Sequence, residues 1–209
     1  MTSAPVQPLP AFSGVPPQGA AGAVIATECE LGIARLTARN GQLESLERLF
    51  HKRYGIALPK GPRRARWQEL AVAGIGPESW MVTREGAGTA FEDSLRSAFG
   101  GHASIVDLTD AYATLRLEGP KVRDSLAKLV PIDVHERSFA PGDIAQTVAA
   151  HMSVTLWRLE HAEQGPPVFE LCVGRSFAHS LYRAIRDSAA EFGFVFRPAV
   201  APAPLAVAP

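Results

Sequence analysis

Six histidines stand at positions 51, 102, 135, 151, 161 and 179. A metal centre or a proton relay built on them would need two at helical or hairpin spacing, and no pair has it. Neither HExxH nor GxSxG occurs, and there is no GxxxxGK[ST] loop to cradle phosphates. Gly74-Ile75-Gly76 opens like a dinucleotide loop, but Ser79 stands at the last glycine position and Pro77 lies inside. Its flanks read as two strands, whereas a dinucleotide loop joins a strand to a helix, so a hairpin turn is the better reading. Asp107 and Asp110 near a strand end can bind a cation or move a proton; satisfying the amides of a turn is the commoner use of such residues. His135-Glu136 reads as a solvated loop dipeptide rather than an acid–base pair. Lys60, Arg63, Arg64 and Arg66 beside Trp67 form a basic run that can take an anion or a single strand. The chain as a whole balances 21 Lys+Arg against 21 Asp+Glu, which argues against nucleic acid or an anionic membrane as the partner. No catalytic, cofactor-binding or metal residue is assigned.

The elements that would position these residues follow from periodicity. Residues 31–38 read as a strand. Residues 42–54 read as a helix with Leu43, Leu46, Leu49, Phe50 and Tyr54 on one stripe. Residues 59–62 are a loop, and 67–73 and 79–84 are strands of a hairpin. Thr89 and Glu92 read as a capping box for a helix with the stripe Phe91, Leu95 and Phe99, stopped by Gly100-Gly101. Residues 104–108 close a βαββαβ unit. The pattern nearly repeats: a strand at 112–118, a helix opened by Pro120 and ended by Pro131, strands at 146–151, 154–160 and 168–173, and a helix capped by Ser176 and stopped by Gly193. The expected fold is α+β, with two ferredoxin-like βαββα-type halves at about 31–108 and 112–193 packed as one body of antiparallel or mixed sheets with helices. Residues 1–22 and 197–209, rich in Pro and Ala, are expected to be flexible tails around a folded part at 23–196.

The 209 residues are enough for a sizeable core. Cys29 and Cys172 form no CxxC pair, so neither a disulfide framework nor a zinc ribbon is indicated and a cytoplasmic location is expected. The proline-broken start does not read as a signal peptide, and no apolar run is long enough to cross a bilayer.

Five stretches carry a resemblance. They are Gly76-Pro77-Glu78-Ser79-Trp80; Val106-Asp107-Leu108-Thr109-Asp110 with Leu115-Arg116-Leu117-Glu118-Gly119-Pro120; Pro131-Ile132-Asp133-Val134-His135 with Ala145-Gln146-Thr147; Val154-Thr155-Leu156-Trp157-Arg158-Leu159 with Phe169-Glu170-Leu171; and Arg175-Ser176-Phe177-Ala178-His179. In this order and spacing, over about 70–193, the chain resembles the gamma subunits of heterotetrameric sarcosine oxidases. That family is similar in fold to the folate-binding domain of aminomethyltransferases. The resemblance implies a complex that oxidatively demethylates sarcosine to glycine with hydrogen peroxide and, with tetrahydrofolate, 5,10-methylenetetrahydrofolate. It implies alpha, beta and delta subunits as partners, with FAD, FMN, NAD and tetrahydrofolate in those other subunits and none here. A folate-binding protein, or a subunit of a related N-methyl amine demethylase, is the alternative. No Asp or Glu occurs between Asp143 and Glu160, so that stretch offers no carboxylate for a folate-linked proton transfer. A structural, assembly role is therefore expected.

The connection over 131–145 is long for a compact domain. It carries Ile132, Val134, Phe139 and Ile144 among charged residues, and these four are the expected subunit contact.

Overall fold

The computed structural model describes residues 10–19, 21–86, 90–159 and 165–199. The elements in chain order are β1 (Val24–Cys29), β2 (Leu31–Ala38), α1 (Leu43–Tyr54), β3 (Arg64–Trp67), β4 (Leu70–Gly76), β5 (Ser79–Glu85), α2 (Ala90–Phe99), β6 (Ala103–Asp107), β7 (Tyr112–Glu118), α3 (Val122–Ala127), β8 (Ile144–Ala149), β9 (Met152–Arg158), β10 (Val168–Gly174), α4 (Ala178–Ala189) and β11 (Phe194–Arg197).

The first half builds a five-stranded sheet in the order β3-β4-β5-β2-β6, with every neighbouring pair antiparallel. This is the βαββαβ unit with β3 added at its edge. The second half builds a six-stranded sheet in the order β11-β1-β7-β10-β9-β8. Here β1 leaves its neighbours in sequence, pairs antiparallel with β7, and takes β11 alongside it in parallel. The expected α+β class with two sheet-forming halves describes the molecule. The second half is completed by a strand from upstream of the first.

The two sheets face one another and each carries its helices on the outside. Leu46 and Phe50 of α1 and Phe91, Leu95 and Phe99 of α2 cover Leu36, Val72, Trp80 and Val82. Val122 and Leu126 of α3 and Leu181 and Ile185 of α4 cover Leu115, Leu117, Leu156, Phe169 and Leu171. Between the sheets, Ile33, Ala73 and Met81 meet Ile144, Trp157 and Cys172. Inner strands are thus buried on both faces, and β4 and β10 accordingly read as continuous apolar runs rather than alternating ones.

Several boundaries differ from expectation for identifiable reasons. Residues 10–19, expected to be part of a floppy arm, pack on the body: Phe12 is buried in the core of the six-stranded sheet, and Gln18 bridges Phe196 of β11. A single phenylalanine supplies the anchor that the proline-rich composition hides. β11 extends to Arg197, so the expected tail boundary falls inside a strand; residues 200–209 lie outside the described residues. Arg64 and Arg66 of the basic run belong to an unexpected edge strand, β3, which ends at Trp67, so the strand expected from residue 67 begins at Leu70 as β4, after the turn at Gln68-Glu69. The last hairpin turns at Ala150-His151, where both residues have positive φ (46° and 68°), so β8 and β9 start two residues earlier than expected. Pro120 lies in a turn and α3 starts at Val122. Ser176 lies in a 3-10 turn and α4 has no side-chain cap. Thr89 of the expected capping box lies outside the described residues, and its partner Glu92 pairs with Arg96 one turn on.

Candidate functional site

At the junction of the two halves, α1, the 59–62 loop and the β4–β5 hairpin face the start of β8 across a cleft of about 810 Å³. Its apolar floor includes Leu43, Pro59, Ile75, Trp80 and Ile144, and its charged lining is Glu44, Glu47, Glu78 and Lys60. The floor is fixed by two side chains: Trp80 Nε1 donates to Pro59 O at 2.9 Å, and Gln146 Nε2 donates across the junction to Ile75 O at 3.0 Å. Gly74 belongs to this packing. A Cβ there would lie 2.1 Å from Gly61 O, so only glycine lets the strand lie against the loop. The Gly74-Ile75-Gly76 sequence therefore joins two strands, as expected, and serves backbone contact. The cleft sets three carboxylates against one ammonium, which repels an anionic diphosphate. Its residues do not fit a dinucleotide cofactor, and no reaction step is derived through one.

The remaining candidates divide between turn chemistry and core. Asp107 Oδ1 accepts from the Thr109 amide at 2.9 Å, so the Asp107/Asp110 region closes a turn. Asp133 accepts from the His135 amide at 2.8 Å and from Ser138 Oγ at 2.5 Å. The Ser138 hydroxyl and then the His135 amide hold its carboxyl below the ordinary value. The Arg137 amide in turn donates to His135 Nδ1 at 3.3 Å, so His135-Glu136 sits in an exposed, self-braced loop. Arg63 of the basic run pairs with Asp143. Trp67 is exposed beside Tyr54, their ring centroids 6.2 Å apart. Among the described residues, no group of three His, Cys, Asp or Glu is placed to hold a metal ion, and no helix is long and apolar enough to cross a membrane.

The four residues expected at a subunit contact are turned inward. Val134 and Phe139 are buried in the core of the six-stranded sheet with Ile132 half-buried against it, and Ile144 is buried between the sheets. The 131–145 connection is long because it tucks Val134 and Phe139 under the six-stranded sheet. The apolar residues that stood out in the sequence are its anchors, and its outer surface is polar.

A buried ionic network is the feature that sequence reasoning missed. Glu170 on β10 is almost fully buried between the sheets. One oxygen accepts from Arg116 Nε at 2.9 Å and Nη2 at 2.6 Å, the other from Trp157 Nε1 at 2.6 Å. Arg116 on β7 also reaches Glu85 of the other sheet at 2.6 Å, tying the halves together. Burial works against the charge on Arg116, but Glu170 and Glu85 outweigh it and the guanidinium stays charged. Burial and then the charge of Glu170 push the Cys29 thiol up to about 12, and burial does the same to Cys172. Neither is a nucleophile at neutral pH. The available signal was a lone Glu inside the apolar run of β10, with an Arg on the polar side of β7.

A second groove, of about 890 Å³, opens where the sheets part, between β8 and the start of α4. Its lining includes Tyr112, Gln146, Val148, Met152, Cys172 and Phe177, and contains no Asp, Glu, Lys or Arg.

Comparison with known proteins supplies what the geometry leaves open. The family described as GCVT N-terminal domain matches residues 65–199. The sarcosine oxidase subunit gamma of Arthrobacter sp. is 33% identical over 108 residues, 50% of this chain and 52% of that protein. The match thus spans about half the length of that relative. In heterotetrameric sarcosine oxidase from Corynebacterium sp. U-96, solved in complex with pyrrole 2-carboxylate, one chain superposes with a TM-score of 0.70 at 26% identity, covering 82% of this chain and 87% of that one. Glycine cleavage system aminomethyltransferase T from Bartonella henselae shares the fold, with a TM-score of 0.62 at 14% identity over 84% of this chain and 48% of that one.

Proposed function

Since the chain belongs to the GCVT N-terminal domain family, we propose that it is the gamma subunit of a heterotetrameric sarcosine oxidase and that it assembles the complex rather than catalyses. The observation that carries this reading is the likeness, over most of both chains, to a subunit of the Corynebacterium sp. U-96 enzyme. What the fold holds agrees with it. The buried carboxylate between the sheets is engaged by Arg116 and Trp157, burial pushes both thiols up, and the cleft at the junction does not fit a dinucleotide. In this reading alpha, beta and delta subunits carry FAD, FMN, NAD and tetrahydrofolate. They oxidise sarcosine to glycine, with hydrogen peroxide as the reduced product of oxygen and 5,10-methylenetetrahydrofolate when tetrahydrofolate accepts the one-carbon unit.

Co-expression with the genes for the candidate partner subunits tests it. The expected result is a four-component complex that makes peroxide from sarcosine in preference to other N-methyl amines, and that fails to assemble when this chain is omitted. A fully assembled, fully active complex lacking this chain would overturn the assembly role. Preference for another N-methyl amine would keep that role and reassign the substrate.

A further inference from the structure

Two sheets have four edges, and three of them carry a charged residue. β3 carries Arg64 and Arg66, and Arg63 at its start is bridged by Asp143. β11 carries Arg197 and is bridged at Phe196 by Gln18. β6 ends on Asp107. β8 differs: its six residues, Ile-Ala-Gln-Thr-Val-Ala, include no charge and no proline, and it runs beside β9 without a bulge. Edge strands of this kind expose unpaired N–H and C=O groups that recruit another strand, and natural sheets ordinarily avoid them. The first half screens only one end of β8, where the Ile144 amide donates to Pro62 O at 3.2 Å and the Gln146 side chain reaches Ile75. Beyond Gln146 the strand has β9 as its one neighbour in the sheet.

The second groove, whose lining has no Asp, Glu, Lys or Arg but includes the exposed His151, runs along this open stretch. Of the four large hydrophobic side chains exposed among the described residues, two line it: Val148 of β8, 40% exposed, and Phe177 before α4, 53% exposed. We infer that the open edge of β8 and this groove together receive an extended, uncharged, apolar segment of another subunit of the assembly, which adds a strand to the six-stranded sheet. The inference rests on the oxidase-subunit reading above. Strand addition supplies affinity through the backbone, while alternate side chains of the incoming segment enter the groove between Val148 and Phe177. An uncharged segment fits because the groove offers a buried charge no Asp, Glu, Lys or Arg partner, its one basic side chain being the exposed His151.

The test uses the full chain co-expressed with its partners, in Val148→Lys and Phe177→Ser variants. Both side chains are exposed, so the isolated variants are expected to melt within a few degrees of the parent chain. Association should weaken by about tenfold or more. Independently, the amides of Gln146 and Val148 in the unaltered chain, which share the outward phase of the Ile144 amide and point away from β9, should exchange slowly in the complex and fast in the isolated chain. If Val148→Lys does not fold, the Phe177→Ser variant and the exchange measurement decide. Parent-like assembly of the variants, with unchanged exchange at Gln146 and Val148, would overturn the inference and leave the oxidase reading intact. Conversion of a dimer of the isolated chain to monomer by Val148→Lys, with the complex unaffected, would overturn it in favour of a second copy. If the unaltered chain joins no oxidase complex, both readings fail together.

Discussion

Phe139 stacks on Phe169 with 6.2 Å between ring centroids and 27° between ring planes, and the backbone carbonyl of Phe139 accepts from Arg158 Nη1 at 2.9 Å. Truncating a ring so placed removes its transfer free energy and leaves a cavity. Phe139→Ala is therefore expected to cost about 3–5 kcal/mol of folding stability, read from urea unfolding of the isolated chain. Its association with partner subunits should be unaffected at temperatures where the variant is folded. At the network, the two carboxylates differ by burial. Glu170 is enclosed, so Glu170→Ala should cost about 3 kcal/mol by leaving Arg116 short of its buried partner. Glu85, its side chain 43% exposed, should matter far less at neutral pH and reveal itself in acid. The hydrogen bond from Arg116 holds its carboxyl below the ordinary value of 4.5. A carboxylate whose folded pKa lies below its unfolded one contributes stability that is complete above the unfolded value and is lost as pH falls through the folded one. The urea midpoint should therefore fall as pH drops below 4.5, and Glu85→Gln should flatten that fall; an identical slope would show that Arg116 does not hold Glu85 in solution. Asp133 adds to the same limb, so the flattening is partial.

At the scale of elements, the arm and the last strand are held by one carboxylate. Glu28 accepts from the Phe12 amide at 3.2 Å and from the Ala199 amide at 3.1 Å, while Tyr182 Oη donates to Gln18 at 2.8 Å. The arm over 10–19 is thus anchored on the core through Phe12. Phe12→Ala should lower stability by about 3 kcal/mol or more and open residues 10–22 to limited proteolysis. Cleavage there in the unaltered chain at the rate of an unfolded peptide would contradict the packing. This element also marks the limit of what could be read in advance. The helices α1, α2 and α4 were legible because each carries its own 3.6-residue stripe, and β2 and β7 because each lies between clear breaks. β1, β3 and β11 were missed because what makes them strands lies elsewhere. Val24 of β1 pairs with Phe194, and Ala26 with Leu117, and no local pattern records partners so distant. The same reason explains the candidate contact. Ile132, Val134, Phe139 and Ile144 stood out as apolar residues in a polar connection, but whether such residues face outward or inward depends on the sheet above them, which the segment itself does not specify.

At the scale of the molecule, the inter-sheet cluster of Ile33, Met81, Ile144 and Trp157 and the Arg116–Glu85 pair join halves that each have a helix-covered core. Thermal unfolding of the isolated chain should accordingly show a single calorimetric transition, with calorimetric and van't Hoff enthalpies in agreement. Two resolved transitions would mean that the halves are separable bodies. The placement of β1 carries a further consequence, for the order in which the chain can fold as it is made. The strands of the five-stranded sheet all lie before residue 108 and can pair early, whereas β1, made before any of them, must wait for Glu118 before it has one neighbour and for Arg197 before it has both. Until β11 is made, the growing chain holds a finished first sheet with an incompletely paired strand tethered to its start, and that interval is when a nascent-chain chaperone, or a partner already assembled, has something to bind.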